Sequence, residues 1–170
     1  MLPKFTFEIH PVGLVLELLV QLDDEIDPSM HLTDQEKDMI INSEGFAVLC
    51  TNHKDQIVGA GYAVSSLEAM AVLADVDPRF VPQDNQIYIY SVVVARAFHR
   101  KKIGTFIRRM LIDEARSRGY QTGSTHVRMA YDWDVAGEKF YRPTPLSVRI
   151  IRNFWPQLEK PDVKFMVFSL

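Results

Sequence analysis

The sequence predicts one domain of mixed α and β structure (α/β class, α+β type), and three observations favour it. A strand-like segment near the N-terminus precedes two helix-like segments, and two β-rich segments in the middle of the chain flank a polar loop. Further on, a buried strand runs through a basic turn into a long amphipathic helix. A chain of 170 residues with 47% hydrophobic residues can bury one core, so we assign 1–170 to a single domain.

The first part of the chain is predicted to form a strand and two helices. Residues 4–10 alternate apolar and polar side chains, which is the period of a strand with one buried face. Apolar residues at helical spacing predict a first helix over 14–22. Thr33 and Glu36 have the spacing of a capping box, so the second helix should begin at Asp34.

The middle of the chain is predicted to contain a hairpin, a short helix and a central strand. The β-rich segments 46–50 and 56–65 are separated by a polar loop, and a hairpin is the simplest interpretation. Residues 67–74 favour a short helix. Residues 86–94 are β-branched and aromatic, and the unbroken valine run 92–94 predicts a strand that is buried on both faces.

The second half is predicted to begin with a long amphipathic helix over 103–118, which Gly119 ends. The remaining elements are predicted to be a strand at 124–129, a short helix at 135–141, an amphipathic helix at 146–155 and a strand at 163–169.

Charge and composition exclude some partners. The net charge of −3 and pI near 5.9 predict no overall attraction to nucleic acid or to an anionic membrane.

No signal peptide and no run of membrane-spanning length is present in the sequence, so we expect a cytoplasmic protein. The single cysteine, Cys50, lies in an apolar run and is predicted to be a buried thiol in a reducing compartment.

The turn between the central strand and the long helix has the features of a phosphate-binding site. It consists of His99, Arg100, Lys101, Lys102, Ile103, Gly104 and Thr105. Free amide N–H groups in a first helical turn, the helix dipole and basic side chains all favour an anion such as pyrophosphate. The sequence lacks both the P-loop pattern and the three glycines of the dinucleotide fingerprint, which argues against nucleotide hydrolysis and hydride transfer.

This strand, turn and helix resemble the GNAT acetyltransferase superfamily over residues 87–141. In that family the signature Q/R-x-x-G-x-G/A follows a buried strand and opens the helix that holds the CoA pyrophosphate. His99 takes the Q/R position, Lys102 the place of the first glycine and Gly104 that of the second. Because Lys102 carries a Cβ where the family prefers none, we expect its backbone to adopt an unstrained φ.

The resemblance implies a fold and a cosubstrate. The fold would be a mixed, mostly antiparallel, strongly twisted sheet, with the first two helices on one side and the helix 103–118 below. Acetyl-CoA would enter the gap between the central strand and the strand 124–129, with no metal ion at the site. The resemblance places the pantetheine arm against main-chain groups of the run Val92, Val93 and Val94.

A third partial match supplies a catalytic candidate. Residues from Asp134 to Tyr141 resemble the family pattern N-x-x-A-x-x-F/L-Y, which implies that Tyr141 is the general acid. A phenol with an ordinary pKa of about 10 can protonate the departing thiolate at neutral pH. A tyrosine at the edge of the core is the other interpretation. His126 is a candidate for the general base, as are Asp132 and Asp134 acting through water.

The acceptor side of the site has two candidate features. Tyr88 and Tyr90 share one face of the central strand, where they either line the acceptor or pack in the core. An acidic cluster at the end of the first helix either favours a cationic acceptor or is an ordinary helix exit. This cluster comprises Asp23, Asp24, Glu25 and Asp27.

The resemblance therefore implies an N-acetyltransferase that transfers an acetyl group from acetyl-CoA to a primary amine of a small molecule or peptide by direct attack. An alternative is a non-catalytic CoA-binding protein of the same fold, acting as a regulator or sensor. A third hypothesis is a protein-interaction module that binds neither ligand. Whether the chain forms a homodimer is left open.

Overall fold

Seven strands and four helices are present in the computed structural model, which describes residues 4–26, 31–128 and 145–170. The strands are β1 (Thr6–Pro11), β2 (Phe46–Thr51), β3 (Ile57–Ser65), β4 (Gln86–Val94), β5 (Thr122–Arg128), β6 (Pro145–Ile151) and β7 (Val163–Ser169). The helices are α1 (Val12–Ile26), α2 (Asp34–Ile41), α3 (Ser66–Val76) and α4 (Ile103–Ser117).

The described strands form one sheet in the order β1-β2-β3-β4-β5-β7-β6. Every neighbouring pair is antiparallel except β4 and β5, which run parallel and are connected through α4. The mixed, mostly antiparallel sheet predicted from the sequence is therefore confirmed.

Helices cover both faces of the sheet. On one face, α4 packs over β2, β3 and β4. It lies so close to β3 that a Cβ at Gly61 would stand 2.6 Å from Cγ2 of Ile107. On the other face, α1 and α2 cover β2 and β3, and α3 follows beside them. The predicted arrangement of the first two helices and the long helix is confirmed.

Two helices begin with reciprocal capping boxes. The Thr33 side chain accepts a hydrogen bond from the Glu36 amide, and Glu36 accepts one from the Thr33 amide, as predicted for the start of α2. Ser65 and Glu68 make the same arrangement at the start of α3. The predicted short helix at 67–74 and the predicted hairpin of β2 and β3 are also confirmed.

The predicted amphipathic helix at 146–155 is wrong, because residues 145–151 form strand β6 against β7. Leu146, Val148 and Ile150 alternate with residues that face the other way, and all three are exposed. Their spacing also fits part of a helical pattern, so periodicity alone could not separate the two structures. The predicted short helix at 135–141 lies outside the described residues.

Two further properties concern the Cys50 thiol and the length of the helices. Cys50 is fully buried, as predicted, and burial raises the pKa of its thiol to about 11, so it stays protonated at neutral pH. None of the helices in the described part of the chain has the length and apolar character needed to cross a membrane.

Candidate active site between diverging strands

The parallel strands β4 and β5 are paired only at their N-terminal ends. The three pairs join Gln86 with Thr122, Ile87 with Gly123, and Tyr88 with Ser124. One residue further on, the Thr125 hydroxyl still donates to the Ile89 carbonyl at 3.0 Å. Beyond that point the strands have no ladder, and a cleft begins where the sequence predicts the gap for a ligand.

A β-bulge lies at the start of this cleft. In the β3–β4 register, Tyr62 is opposite Ser91 and Ala63 is opposite Ile89, so Tyr90 is the additional residue. The extra residue shifts the alternation of the side chains. Tyr88 and Tyr90 therefore face α1 to α3, while the even-numbered residues after the bulge, Val92 and Val94, face α4.

The valine run 92–94 is half-buried rather than fully buried on both faces, which corrects the expectation from the sequence. Val92 and Val94 pack against the core beneath α4, and Val93 packs on the opposite face. These side chains remain accessible because β5 has already separated from β4. The carbonyl of Val94 accepts a hydrogen bond from Nε2 of His99 at 2.8 Å, which links the strand to the turn.

The turn from β4 into α4 contains two non-glycine residues with left-handed backbone. Arg100 has φ of 62° and Lys102 has φ of 63°. The expectation of an unstrained φ at Lys102 is therefore wrong. Lys102 is the residue immediately before α4, and the left-handed conformation turns the chain into the helix at a cost of about 1–2 kcal/mol for a residue with a Cβ.

The first turn of α4 presents main-chain donors beside the cleft. The first helical hydrogen bond runs from the Phe106 amide to the Lys102 carbonyl, so the amides of Ile103, Gly104 and Thr105 precede the ladder. The Ile103 side chain is buried in the core, which leaves only its main chain for a ligand. Gly104 lies against β4, where a Cβ would be 3.6 Å from Cγ2 of Val94.

Basic side chains surround these amides. Arg100, Lys101 and Lys102 are exposed, and Nζ of Lys101 lies 5.0 Å from the centre of the Phe98 ring. The positive end of the α4 dipole and these cations act on the same region. The turn predicted to bind phosphate thus has the electrostatic character that an anion requires.

A chain of buried hydrogen bonds lies on the face of the sheet opposite to α4. The Tyr88 hydroxyl is 2.8 Å from Nδ1 of His126, and Nε2 of His126 is 3.1 Å from Oδ2 of Asp77. Both terminal nitrogens of Arg149 donate to the Asp77 carboxylate, at 2.9 and 2.6 Å. Four residues from separate elements therefore form one continuous network.

The environment sets the protonation of this network. Burial lowers the pKa of His126 to about 4, although its hydrogen bond to Asp77 acts in the opposite direction. Burial would raise the pKa of Asp77, but hydrogen bonds from Arg149 and His126 outweigh it and lower the value. At neutral pH, His126 is neutral, with its Nε2–H donating to Asp77 and Nδ1 accepting the Tyr88 proton. Burial also raises the pKa of Tyr88.

Comparison with known proteins assigns the chain to a family. Residues 15–142 match the family model for the acetyltransferase (GNAT) family. The chain belongs to the GNAT acetyltransferase family. No curated protein matches the chain.

Solved GNAT structures share the fold across nearly the whole chain. The ribosomal-protein-S18-alanine N-acetyltransferase of Escherichia coli is 15% identical with a TM-score of 0.68, covering 98% of this chain and 94% of that one. Arabidopsis thaliana NAA60 in complex with acetyl-CoA is 13% identical with a TM-score of 0.66, covering 98% and 99%. A GNAT family acetyltransferase from Elizabethkingia anophelis with acetyl-CoA bound is 17% identical with a TM-score of 0.64, covering 98% of each. At these identities the likeness shows the fold alone.

Sequence reasoning identified some residues of this candidate site and missed others. It named His126 and Tyr88 as candidates but not Asp77 or Arg149. Asp77 lies in a proline-rich connection with no recognisable motif, and Arg149 lies in the segment wrongly assigned to a helix. Tyr141, like Asp132 and Asp134, lies outside the described residues, so their catalytic roles stay predictions.

An open groove in the described part of this GNAT chain lies elsewhere. It has a volume of about 770 Å³ and runs between α1 and α2. Its described lining includes Asp24 and Glu25 of the acidic cluster but none of the residues at the β4–β5 split. Asp24 there is 2.6 Å from His31. We therefore place the candidate active site at the split and not in this groove.

Proposed function

We propose that this GNAT chain is an N-acetyltransferase that transfers the acetyl group of acetyl-CoA to a primary amine of a small molecule or peptide. The proposal rests on one observation, the divergence of β4 and β5 beyond Tyr88 and Ser124. The divergence leaves a cleft with a cationic turn on the α4 side and the Tyr88–His126 pair on the other. Two different ligands, one anionic and one with a transferable proton, suit these two sides.

Acetyl-CoA is the cosubstrate in this proposal. Its pyrophosphate would accept hydrogen bonds from the amides of Gly104 and Thr105, and the charges of Arg100, Lys101 and Lys102 would add to the binding. The pantetheine arm would lie along the main chain of 92–94. Structural neighbours with acetyl-CoA bound, from Elizabethkingia anophelis and Arabidopsis thaliana, support this choice of ligand.

The reaction is a direct attack of the amine nitrogen on the acetyl carbonyl carbon. The new C–N bond forms, the C–S bond breaks, and the electron pair leaves on the CoA sulfur. Tyr88 takes a proton from the attacking nitrogen as its own proton passes to Nδ1 of His126. The resulting imidazolium is stabilised by the Asp77 carboxylate. Proton delivery to the thiolate is assigned to Tyr141, as the sequence predicts.

The alternative is a CoA-binding regulator or sensor without catalysis, and one observation favours it. Tyr88 is 4% exposed and His126 is 7% exposed, so an acceptor must approach a nearly closed pair. The two hypotheses share the CoA site and differ only in whether free CoA is released. They are therefore separated by turnover and not by binding.

The experiment measures acetyl-CoA binding by calorimetry and CoA release with a thiol reagent over a panel of primary amines. Tyr88→Phe should lower kcat by about 100-fold or more while leaving the acetyl-CoA Kd unchanged, because it removes only proton transfer. The double change Arg100→Ala and Lys101→Ala should weaken acetyl-CoA binding. Tyr120→Phe, a half-buried phenol that packs on the α4 side, is the matched control.

The outcomes distinguish the three hypotheses. Acetyl-CoA binding without CoA release from any amine would refute the enzyme and favour the sensor. Failure to bind acetyl-CoA would leave the interaction module. Equal kcat in Tyr88→Phe and the wild type would refute only the catalytic role of the Tyr88–His126 pair and not the enzyme hypothesis.

A further inference from the structure

A buried hydroxyl without a partner lies close to the candidate site. Tyr62, on β3, is 1% exposed, and its hydroxyl has no hydrogen-bond partner among the described residues. Most buried polar side-chain atoms in folded proteins are hydrogen-bonded, so such an atom requires an explanation. A ligand that bonds to it is one explanation.

The surroundings of Tyr62 are aromatic and negatively charged. Its ring stacks on that of Tyr90 with centroids 5.4 Å apart and planes 16° from parallel. The Tyr90 hydroxyl donates to Glu36. Burial raises the pKa of Tyr62, and the negative charges of Asp23 and Glu36 raise it further.

In the described hydrogen bonds of the Glu36 carboxylate, both donors are neutral groups. One is the Thr33 amide at 2.7 Å and the other is the Tyr90 hydroxyl. A partly buried carboxylate held by neutral groups attracts a cation strongly, because the local dielectric is low. Glu36 and Tyr90 are half-buried, so this end of the cluster is accessible from solvent.

The cluster lies one aromatic ring away from the proposed proton-transfer pair. The Tyr88 and Tyr90 rings are 5.6 Å apart, and Tyr90 in turn stacks on Tyr62. All three tyrosine rings lie on the same face of the sheet. A short acceptor bound at Tyr88 could therefore place its far end against Tyr62 and Glu36.

We propose that Tyr62, Tyr90 and Glu36 bind the second ammonium group of a diamine-type acceptor. This inference rests on the proposed acetyltransferase function and names its substrate class. An ammonium has three N–H groups, which can donate hydrogen bonds to the Tyr62 oxygen and to the Glu36 carboxylate. The attacking nitrogen must be neutral, so carboxylates suit the nitrogen that does not react. Aliphatic diamines, polyamines and lysine-like amines share this chemistry.

Binding of 1,4-diaminobutane, measured by calorimetry without acetyl-CoA, tests the site directly. Glu36→Gln should raise the Kd about tenfold or more, since a charge-assisted hydrogen bond is lost. Glutamine at this position can keep the capping bond to Thr33, so α2 is expected to remain intact. Glu44→Gln, which removes an exposed carboxylate outside the cluster, should leave the Kd unchanged. The neutral analogue 1,4-butanediol should not bind.

Tyr62→Phe provides a second and independent variant. It should weaken 1,4-diaminobutane binding, yet the thermal midpoint of the unliganded protein should rise or stay constant, because an unpartnered buried hydroxyl is removed. If Tyr62 had only a structural role, Tyr62→Phe would not weaken diamine binding while the thermal midpoint rises or stays constant.

Absence of diamine binding, or an unchanged Kd in both Glu36→Gln and Tyr62→Phe, would overturn the diamine site. In turnover assays, kcat/KM for 1,4-diaminobutane should exceed that for n-butylamine by about tenfold or more, and equal values would also overturn it. Failure of every amine to release CoA refutes the proposed function instead, because the binding experiment does not depend on acetyl transfer.

Discussion

The two faces of β4 carry different chemistry. Toward α4, the strand presents Ile87, Ile89, Val92 and Val94, and the titratable group buried in that cluster is the Cys50 thiol with a pKa of about 11. Toward α1 to α3, Tyr88 and Tyr90 reach His126 and Glu36 through hydrogen bonds. One strand thus provides an apolar wall beside a cationic turn and a polar wall on its opposite face.

The bulge at Tyr90 produces this difference. An uninterrupted alternation would place residues 88, 90, 92 and 94 on one face, whereas the extra residue moves the last two to the other. The polar face should therefore respond to changes in charge and pH. The α4 face should respond chiefly to changes in packing and backbone conformation.

The largest effect is expected from Asp77→Asn on the polar face. Asp77 is 2% exposed and holds both Arg149 and His126. Removing its charge leaves the Arg149 guanidinium partly buried without its counterion, and losses of about 3–5 kcal/mol are typical of such changes. Urea unfolding measures the free energy of unfolding.

Asp113→Asn on the outer surface of α4 is the control for this change. Asp113 pairs with Arg109 and Arg116 but its side chain is 53% exposed, so the loss should be at most about 1 kcal/mol. Similar losses in the two variants would show that the buried network adds no more stability than a surface ion pair.

The second prediction concerns the pH dependence of stability. The pKa of His126 falls from 6.5 to about 4 in the folded protein, so the unfolded chain binds a proton first as the pH decreases. The contribution of His126 is fully present above pH 6.5 and is lost as the pH falls toward 4, a change of at most about 3 kcal/mol. Chemical unfolding at intervals across this range measures it.

His126→Gln isolates this contribution, because glutamine can donate to Asp77 but does not titrate. The variant should be less stable at pH 7 and should show a shallower decrease between pH 6.5 and 4. The lowered pKa of Asp77 affects stability only below this range, since its ordinary value is 3.8. Parallel curves for the two proteins would show that His126 titrates normally.

Sequence patterns predicted the elements whose local signals agreed with their tertiary setting. The capping box at Thr33 and Glu36 specified the start of α2 because both hydrogen bonds are local. The strand, turn and helix around Gly104 were likewise predictable, since buried strands and amphipathic helices have distinct periods.

Features that depend on distant residues were not predictable. The bulge at Tyr90 arises from the register between β3 and β4, which no short motif encodes. Arg149 reaches Asp77 only because β6 pairs with β7, a long-range contact that overrode the helical spacing of its apolar residues. The polar network therefore emerged from topology, whereas the basic turn emerged from local sequence.

The smallest effect is expected on the α4 side, from Lys102→Gly. Glycine adopts the left-handed conformation of this position without the Cβ penalty, although it also loses more entropy on folding. The net gain should be about 0.5–1 kcal/mol in the free energy of unfolding. Lys101→Gly is a matched control, because Lys101 is not among the residues with positive φ in the described chain. This variant should lower the free energy of unfolding by about 0.5–1 kcal/mol, since glycine loses more conformational entropy on folding. Opposite signs at two adjacent lysines would show that backbone conformation governs the turn.

If Lys102→Gly also weakens acetyl-CoA binding, the lysine at the family's glycine position contributes its charge to the ligand despite its backbone strain. An unchanged Kd would mean that the amides of α4 and the neighbouring cations suffice.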